Sequence, residues 1–137
     1  MKRIILGYDA SPASERALQR TIELATTFHA PVVVASVAPV HEFALRGVGT
    51  HYDPADPPAL HTSMAKDATA KLTEHGVEAE PVTGLGHTAE TLVDLADTRE
   101  ADLIVVGMSS RDVLTRVFGA VSDDVAHEAH CDVLLVH

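Results

Sequence analysis

The sequence predicts an α/β fold, a doubly wound parallel sheet of five strands with helices on both faces. Three observations carry that expectation. Four short apolar runs rich in β-branched residues, and a fifth that alternates apolar with polar, recur along the 137 residues; runs of the first kind read as strands buried on both faces. Segments with helical spacing separate them, and strands alternating with helices mark a doubly wound sheet. The first 37 residues already hold a complete β-α-β unit, which demands parallel strands and a right-handed crossover.

Arg3-Ile4-Ile5-Leu6-Gly7-Tyr8-Asp9 is the first strand. Ser11 suits a helix N-cap and Pro12 the first helical position. Ala17, Leu18, Ile22, Ala25 and Phe28 then form an apolar stripe until Pro31 stops the helix. Val32–Val37 is the second strand. From Pro39 to Pro58 the periodicity is lost, in a long loop read as a lid or an insertion. A helix resumes near Ala59 with Leu60, Met64, Ala68 and Leu72 as its stripe, and Gly76 caps its end. Val77–Val82 alternates, and Pro81 within it favours a sheet edge. Gly84-Leu85-Gly86 turns into a helix striped by Ala89, Leu92, Val93 and Ala96. Asp102–Val106 is the fourth strand, a helix runs from about Val121 to Ala129, and Asp132–Val136 is the fifth strand.

Composition narrows the possible partners. The length is that of one domain, residues 1–137, and 46% hydrophobic residues suffice for a core, which with 4% aromatics and no Trp is aliphatic. A net charge of −10 argues against nucleic acid, whose phosphates need a basic face, and against an anionic membrane surface. Cys131 is the single cysteine, so no internal disulfide forms and a reducing compartment is expected. Lys2-Arg3 leads directly into a strand pattern rather than a signal peptide, and no apolar run approaches the ~20 residues of a membrane span. A cytoplasmic location is expected.

The stretch from Asp102 to Asp124 organises the functional reading. A buried strand ends at Gly107, a polar loop carries Ser109, Ser110 and Arg111, and Gly119 precedes Val121-Ser122-Asp123-Asp124, where a helix starts. Strand, Gly, polar loop, Gly, hydroxyl and helix N-terminus together suit an anion, because the first helical N–H groups lack internal partners and the dipole favours negative charge. Gly107 is read as a position of positive φ or of close approach by a ligand. The alternative is an ordinary surface loop with a helix start. Doubly wound sheets bind ligands beyond the carboxyl ends of their strands, where strand order reverses. If the first strand lies beside the fourth, Asp9, Val37 and Gly107 share that rim. Asp9 suits hydrogen bonding to a ribose or base, or a metal; equally, it suits capping the helix that begins near Ser11.

Other motifs are weaker. Gly84-Leu85-Gly86-His87-Thr88-Ala89 matches G-x-G-x-x-A but lies outside the first unit and lacks a well-placed acid, so a tight turn is preferred. There is no G-x-x-x-x-G-K-[ST]. His127, His130 and Cys131 cluster near a helix end, where imidazoles complement the dipole more simply than they hold a metal. His41, His51 and His61 surround the long loop and could clamp a ligand, although exposed loop histidines are commoner. No Ser-His-Asp set and no carboxylate pair can be assembled from spacing alone.

With these residues in view, the chain resembles the universal stress protein family along its whole length. The resemblance lies in Ile4–Ser11, Ala101–Gly107, Gly119-Ala120-Val121-Ser122 and His130–Val136. It implies a sheet ordered 3-2-1-4-5 of the adenine nucleotide alpha hydrolase-like kind, a homodimer, and in one branch ATP or AMP, with magnesium accompanying ATP. That branch carries G-x2-G-x9-G-[ST]. Here Ser110 replaces the second Gly, the gap to Gly119 is one residue short, and Ala120 replaces the hydroxyl. The implied nucleotide-binding set is Asp9, Val37, Gly107, Ser109, Ser110, Gly119, Val121 and Ser122, with Asp9 and the Val37 backbone toward ribose and adenine, and with Arg111 and Arg116 as the local cations. The expected function is a nucleotide-binding, regulatory stress-response module with at most a weak ATPase, since no general base is visible. The alternative is a stress-response interaction protein whose phosphate loop is degenerate. The homodimer is expected through Asp132–Val136, an apolar strand at a sheet edge without Lys or Pro to discourage pairing.

Overall fold

The computed structural model describes residues 1–39, 54–108 and 121–137. Strand β1 (Ile4–Gly7) leads to helix α1 (Pro12–Phe28) and strand β2 (Val32–Ala38). Helix α2 (Pro58–Glu74), strand β3 (Ala79–Leu85) and helix α3 (Thr88–Thr98) follow, then strand β4 (Leu103–Gly107), helix α4 (Val121–Glu128) and strand β5 (Asp132–Val136). The strands form one sheet in the order β3-β2-β1-β4-β5, every pair parallel. Because β1 connects outward to β2 on one side and pairs with β4 on the other, strand order reverses at the β1/β4 junction.

Period-two alternation divides the central strands between two cores. Ile4, Leu6, Val32, Val34 and Val105 face α1 and α2, where Leu18, Ile22, Ala68 and Leu72 meet them. Ile5, Val33, Ala35, Ile104 and Val106 face the other way, onto Leu92, Val93 and Ala96 of α3 and Val125 of α4. Apart from the buried Ser36 of β2, both faces of β1, β2 and β4 are therefore apolar, which is why they read as hydrophobic runs. The edges differ: β3 alternates between exposed and half-buried, with Pro81 in it as expected of an edge, and β5 leaves Val133, Leu134 and Leu135 only half-buried.

Two elements are displaced from the sequence reading. The third strand begins at Ala79, not Val77, and continues to Leu85. Val77 is spent closing α2: its N–H donates to the Leu72 carbonyl, and that of Gly76, at φ +77°, donates to Thr73. This is a Schellman closure, in which Gly avoids the Cβ penalty of a left-handed residue. Gly84 consequently lies inside the strand rather than in the turn, where a Cβ would approach the Thr91 methyl to 2.8 Å. In α2 the buried positions are His61, Ala65, Ala68 and Leu72, while Leu60 is exposed. A stripe read at every fourth residue drifts by about 40° per step on a 3.6-residue helix; the 61-65-68-72 set does not. Phe28, the last residue of the first expected stripe, is likewise exposed.

At the amino end of the sheet, the Asp102 carboxylate accepts from the N–H groups of Lys2 and Arg3, tying β1 to β4. Burial opposes its charge, yet these amides hold its carboxyl below the ordinary carboxylate range. No helix among the described residues is long and apolar enough to cross a membrane.

Candidate functional site

The carboxyl ends of β1, β2 and β4 open into a cavity of about 500 Å³. Its position follows from topology: at the β1/β4 junction the connecting segments leave in opposite directions, and nothing in the sheet fills the gap. Of the eight expected site residues, Asp9, Val37, Gly107, Val121 and Ser122 line this one cavity. Ser109, Ser110 and Gly119 lie outside the described residues, as do Ala120, Arg111, Arg116, His41 and His51.

One wall is the start of α1, and its polar groups satisfy one another. Ser11 caps the helix by accepting from the N–H of Ser14 at 3.2 Å. The Asp9 carboxylate accepts from the Ser11 N–H at 3.0 Å, so Asp9 does help to cap that helix. The Ser14 hydroxyl donates to the Ser11 carbonyl and accepts from the Asp9 N–H. Between them Ala10 holds φ +63°, a left-handed conformation that a residue with a Cβ adopts only under constraint. Asp9 nevertheless remains exposed at the rim.

Gly107 has a different purpose from the one expected of it. It is absent from the positive-φ residues. A Cβ built there would lie 2.2 Å from the carbonyl oxygen of Ala13 and 2.9 Å from the Ser14 N. Glycine at 107 is what lets the first turn of α1 rest on the end of β4, and the cavity wall depends on that contact.

The opposite wall is the start of α4. Val121 is exposed there, but Ser122 is 2% exposed and its Oγ has no hydrogen-bond partner among the described residues. A buried hydroxyl without a partner forfeits about 1–3 kcal/mol. Such an atom on a cavity wall, at a helix N-terminus, is the feature a hydrogen-bonding ligand would satisfy. Arg16 on α1 donates from Nη2 to the Met108 carbonyl, just beyond the end of β4, at 3.4 Å.

The third wall holds residues that spacing did not reveal. Ser36 of β2, His61 of α2 and Asp56 before it form a chain of hydrogen bonds, with Oγ to Nδ1 at 2.6 Å and Nε2 to Oδ1 at 2.6 Å. A carboxylate only accepts, so Nε2 carries the proton toward Asp56; in neutral imidazole Nδ1 then accepts from the Ser36 hydroxyl. His61 is therefore not an exposed loop histidine but a buried helix residue, and Asp56 reaches the cavity. The set has the composition of a catalytic triad without its access: Ser36 is fully buried, so its hydroxyl cannot meet a substrate carbonyl. The missed signal was helical phase, since His61 occupies the inward position that the four-residue spacing assigned to Leu60.

The remaining candidates resolve simply. Gly86 sits at φ +136° and turns β3 into α3, whose N-cap His87 makes no side-chain capping bond. His130 Nδ1 lies 2.9 Å from Asp97 Oδ2, and no group of three or more His, Cys, Asp or Glu suited to a metal exists among the described residues. Burial, reinforced by Asp97, pushes the Cys131 thiol above its ordinary pKa, leaving it a poor nucleophile.

Comparison with known proteins places this geometry. The model of the Universal stress protein family matches residues 1–137. A universal stress protein of Mycobacterium tuberculosis is 29% identical over 149 residues, covering 99% of this chain and 96% of its own. A crystal structure of a universal stress protein in complex with cAMP is 28% identical, with a TM-score of 0.78, covering 99% of this chain and 96% of that one. The universal stress protein of Archaeoglobus fulgidus, solved with dAMP, superposes with a TM-score of 0.76 over 100% of this chain and 98% of its own, but at 24% identity it speaks to the fold alone.

Proposed function

The chain belongs to the universal stress protein family, and from that premise we propose that it is a stress-response module that binds an adenine nucleotide at the carboxyl ends of β1, β2 and β4. The observation that carries the reading is the Ser122 hydroxyl, buried and without a partner among the described residues, on the wall of a cavity that also presents Asp9, Val37 and Gly107. The neighbour solved with cAMP supports it. In this reading α4 directs its N-terminus and Ser122 at ribose or phosphate, Asp9 meets the ribose, and the base lies against Val37. Ser109, Ser110 and Gly119 complete the phosphate side. Any magnesium arrives with ATP, held chiefly by its phosphates. In this reading the function is regulatory rather than catalytic: among the described residues the Ser36-His61-Asp56 set has its hydroxyl fully buried and closed to substrate.

Calorimetric titration with AMP, ADP and ATP tests this. Saturable binding is expected, and the absence of heat with all three nucleotides would sink the reading in favour of an interaction protein with a degenerate loop.

The same reading includes a cytosolic location, supported by the single cysteine, and a homodimer through β5. Its support is an edge strand with half-buried Val133, Leu134 and Leu135, open to antiparallel pairing with its own copy about a two-fold axis. Light scattering should give a mass near twice 14.5 kDa; a monomeric mass at tens of micromolar would refute the pairing.

A further inference from the structure

The hydrogen-bonded chain through Ser36, His61 and Asp56 on the third wall has no part in the nucleotide contacts proposed above. We propose that it is a base-reading device: it holds Asp56 as a one-point acceptor for the exocyclic amine of a 6-aminopurine, selecting adenine over 6-oxopurines. The inference rests on the nucleotide reading above and adds to it the residue that chooses the base.

Position comes first. Asp56, His61 and Met64 line the same cavity as Val37 and Pro39. Among the described residues that corner is otherwise apolar, the kind of surface on which a flat base rests, and a carboxylate at its border is the natural reader of the base edge. Fixation comes second. Ser36 is fully buried and His61 is 4% exposed, so the ring cannot turn without burying unpaired polar groups. Both ring nitrogens are engaged at 2.6 Å, which leaves His61 nothing to offer a ligand directly. Its effect passes through Asp56, so His61 and Ser36 are positioning residues.

Chemistry comes third. The Asp56 side chain is 38% exposed. Oδ1 accepts from His61 Nε2, and Oδ2 meets no partner among the described residues. The imidazole fixes the carboxylate through Oδ1, and Oδ2 is then set as an acceptor for the amine of adenine. Hypoxanthine, with a carbonyl at the same place, sets oxygen against oxygen.

The discriminating experiment is calorimetric titration of AMP and IMP, which differ in the group at C6 and in the proton on N1, into the full chain and two variants. The wild type should prefer AMP by about tenfold, as expected for one hydrogen bond to a charged acceptor. Asp56→Asn should reverse the preference: His61 Nε2 continues to donate to the amide oxygen, and the amide NH₂ then faces the base as a donor to the IMP carbonyl. Asp56→Ala should bring the ratio near unity. A merely structural role for Asp56 would lower both affinities together and leave their ratio unchanged, and that result overturns the inference while the nucleotide reading stands. If the wild type binds neither nucleotide, both fall.

Discussion

Two helix N-termini face each other across the cavity, and they differ in how their polar groups are satisfied. At α1, Asp9, Ser11 and Ser14 spend their donors and acceptors on one another, and Pro12 removes an amide that would need a partner. At α4, the Ser122 hydroxyl is buried with no partner among the described residues. Both are hydroxyl-bearing helix starts beside the same sheet, and in sequence they look alike. The difference separates hydroxyls already committed to the fold, Ser11 and Ser14, from one that a ligand could satisfy, Ser122. A self-satisfied terminus is rigid and gains little from a ligand, whereas an unsatisfied one carries a penalty that a ligand can remove.

Four substitutions would break or sharpen that contrast. The largest effect is expected from Gly107→Ala. Its Cβ would press on the Ala13 carbonyl, and backbone cannot swing aside as a side chain can, so α1 must lift from β4. A loss of about 3 kcal/mol in denaturant unfolding is expected, with nucleotide affinity falling as well. Unchanged stability would show that the scaffold wall is softer than described.

Ser122→Ala should separate binding from stability. Removing a buried hydroxyl that has no partner among the described residues leaves folding stability equal or slightly higher, while nucleotide affinity falls by about tenfold through loss of one hydrogen bond. Ser11→Ala should do the converse. It removes a cap, lowering stability by about 1 kcal/mol with little change in affinity. If both variants behave alike in both measurements, the distinction between the two walls fails.

The smallest effect concerns Tyr8, which packs under the start of α1 and donates to the Glu15 carboxylate. Burial raises its pKa above the ordinary tyrosine value, and the bond to Glu15 raises it further. A raised acid is stabilising while protonated. Its contribution is fully present below the unfolded value of about 10 and is lost as pH rises beyond that toward the folded value. Stability at pH 7 should therefore hold steady and decline in the alkaline range, and Tyr8→Phe should remove part of that decline. Identical alkaline profiles for the two proteins would rule out this role.

The strands, the helices and the parallel architecture were legible in the chain because they depend on local periodicity. Ile4–Leu6, Val32–Ala35 and Leu103–Val106 are apolar on both faces, and only a sheet covered by helices on both sides accommodates that. Asp9, Val37, Gly107, Val121 and Ser122 were legible as rim residues because each lies at a strand end or helix start. What each of them does was not. Gly107 serves a backbone contact with Ala13 that is 94 residues away in sequence by subtraction of their numbers, and no spacing rule links two such positions. Asp9 was ambiguous between capping and binding because one carboxylate suits both. Only the 3.0 Å contact with the Ser11 N–H shows the capping.

The sequence by itself determined the element types, the sheet's class and the end of the sheet at which a ligand would lie. These follow from which side chains must leave water and how often they recur. Tertiary structure decided the assembly of Ser36, His61 and Asp56 and the burial of Ser122 without a partner among the described residues. Whether a polar group is satisfied depends on which atoms of distant segments arrive within 3 Å of it. That is settled by how α2 packs on β2 and α4 on β4 and β5, not by the residues beside it in the chain.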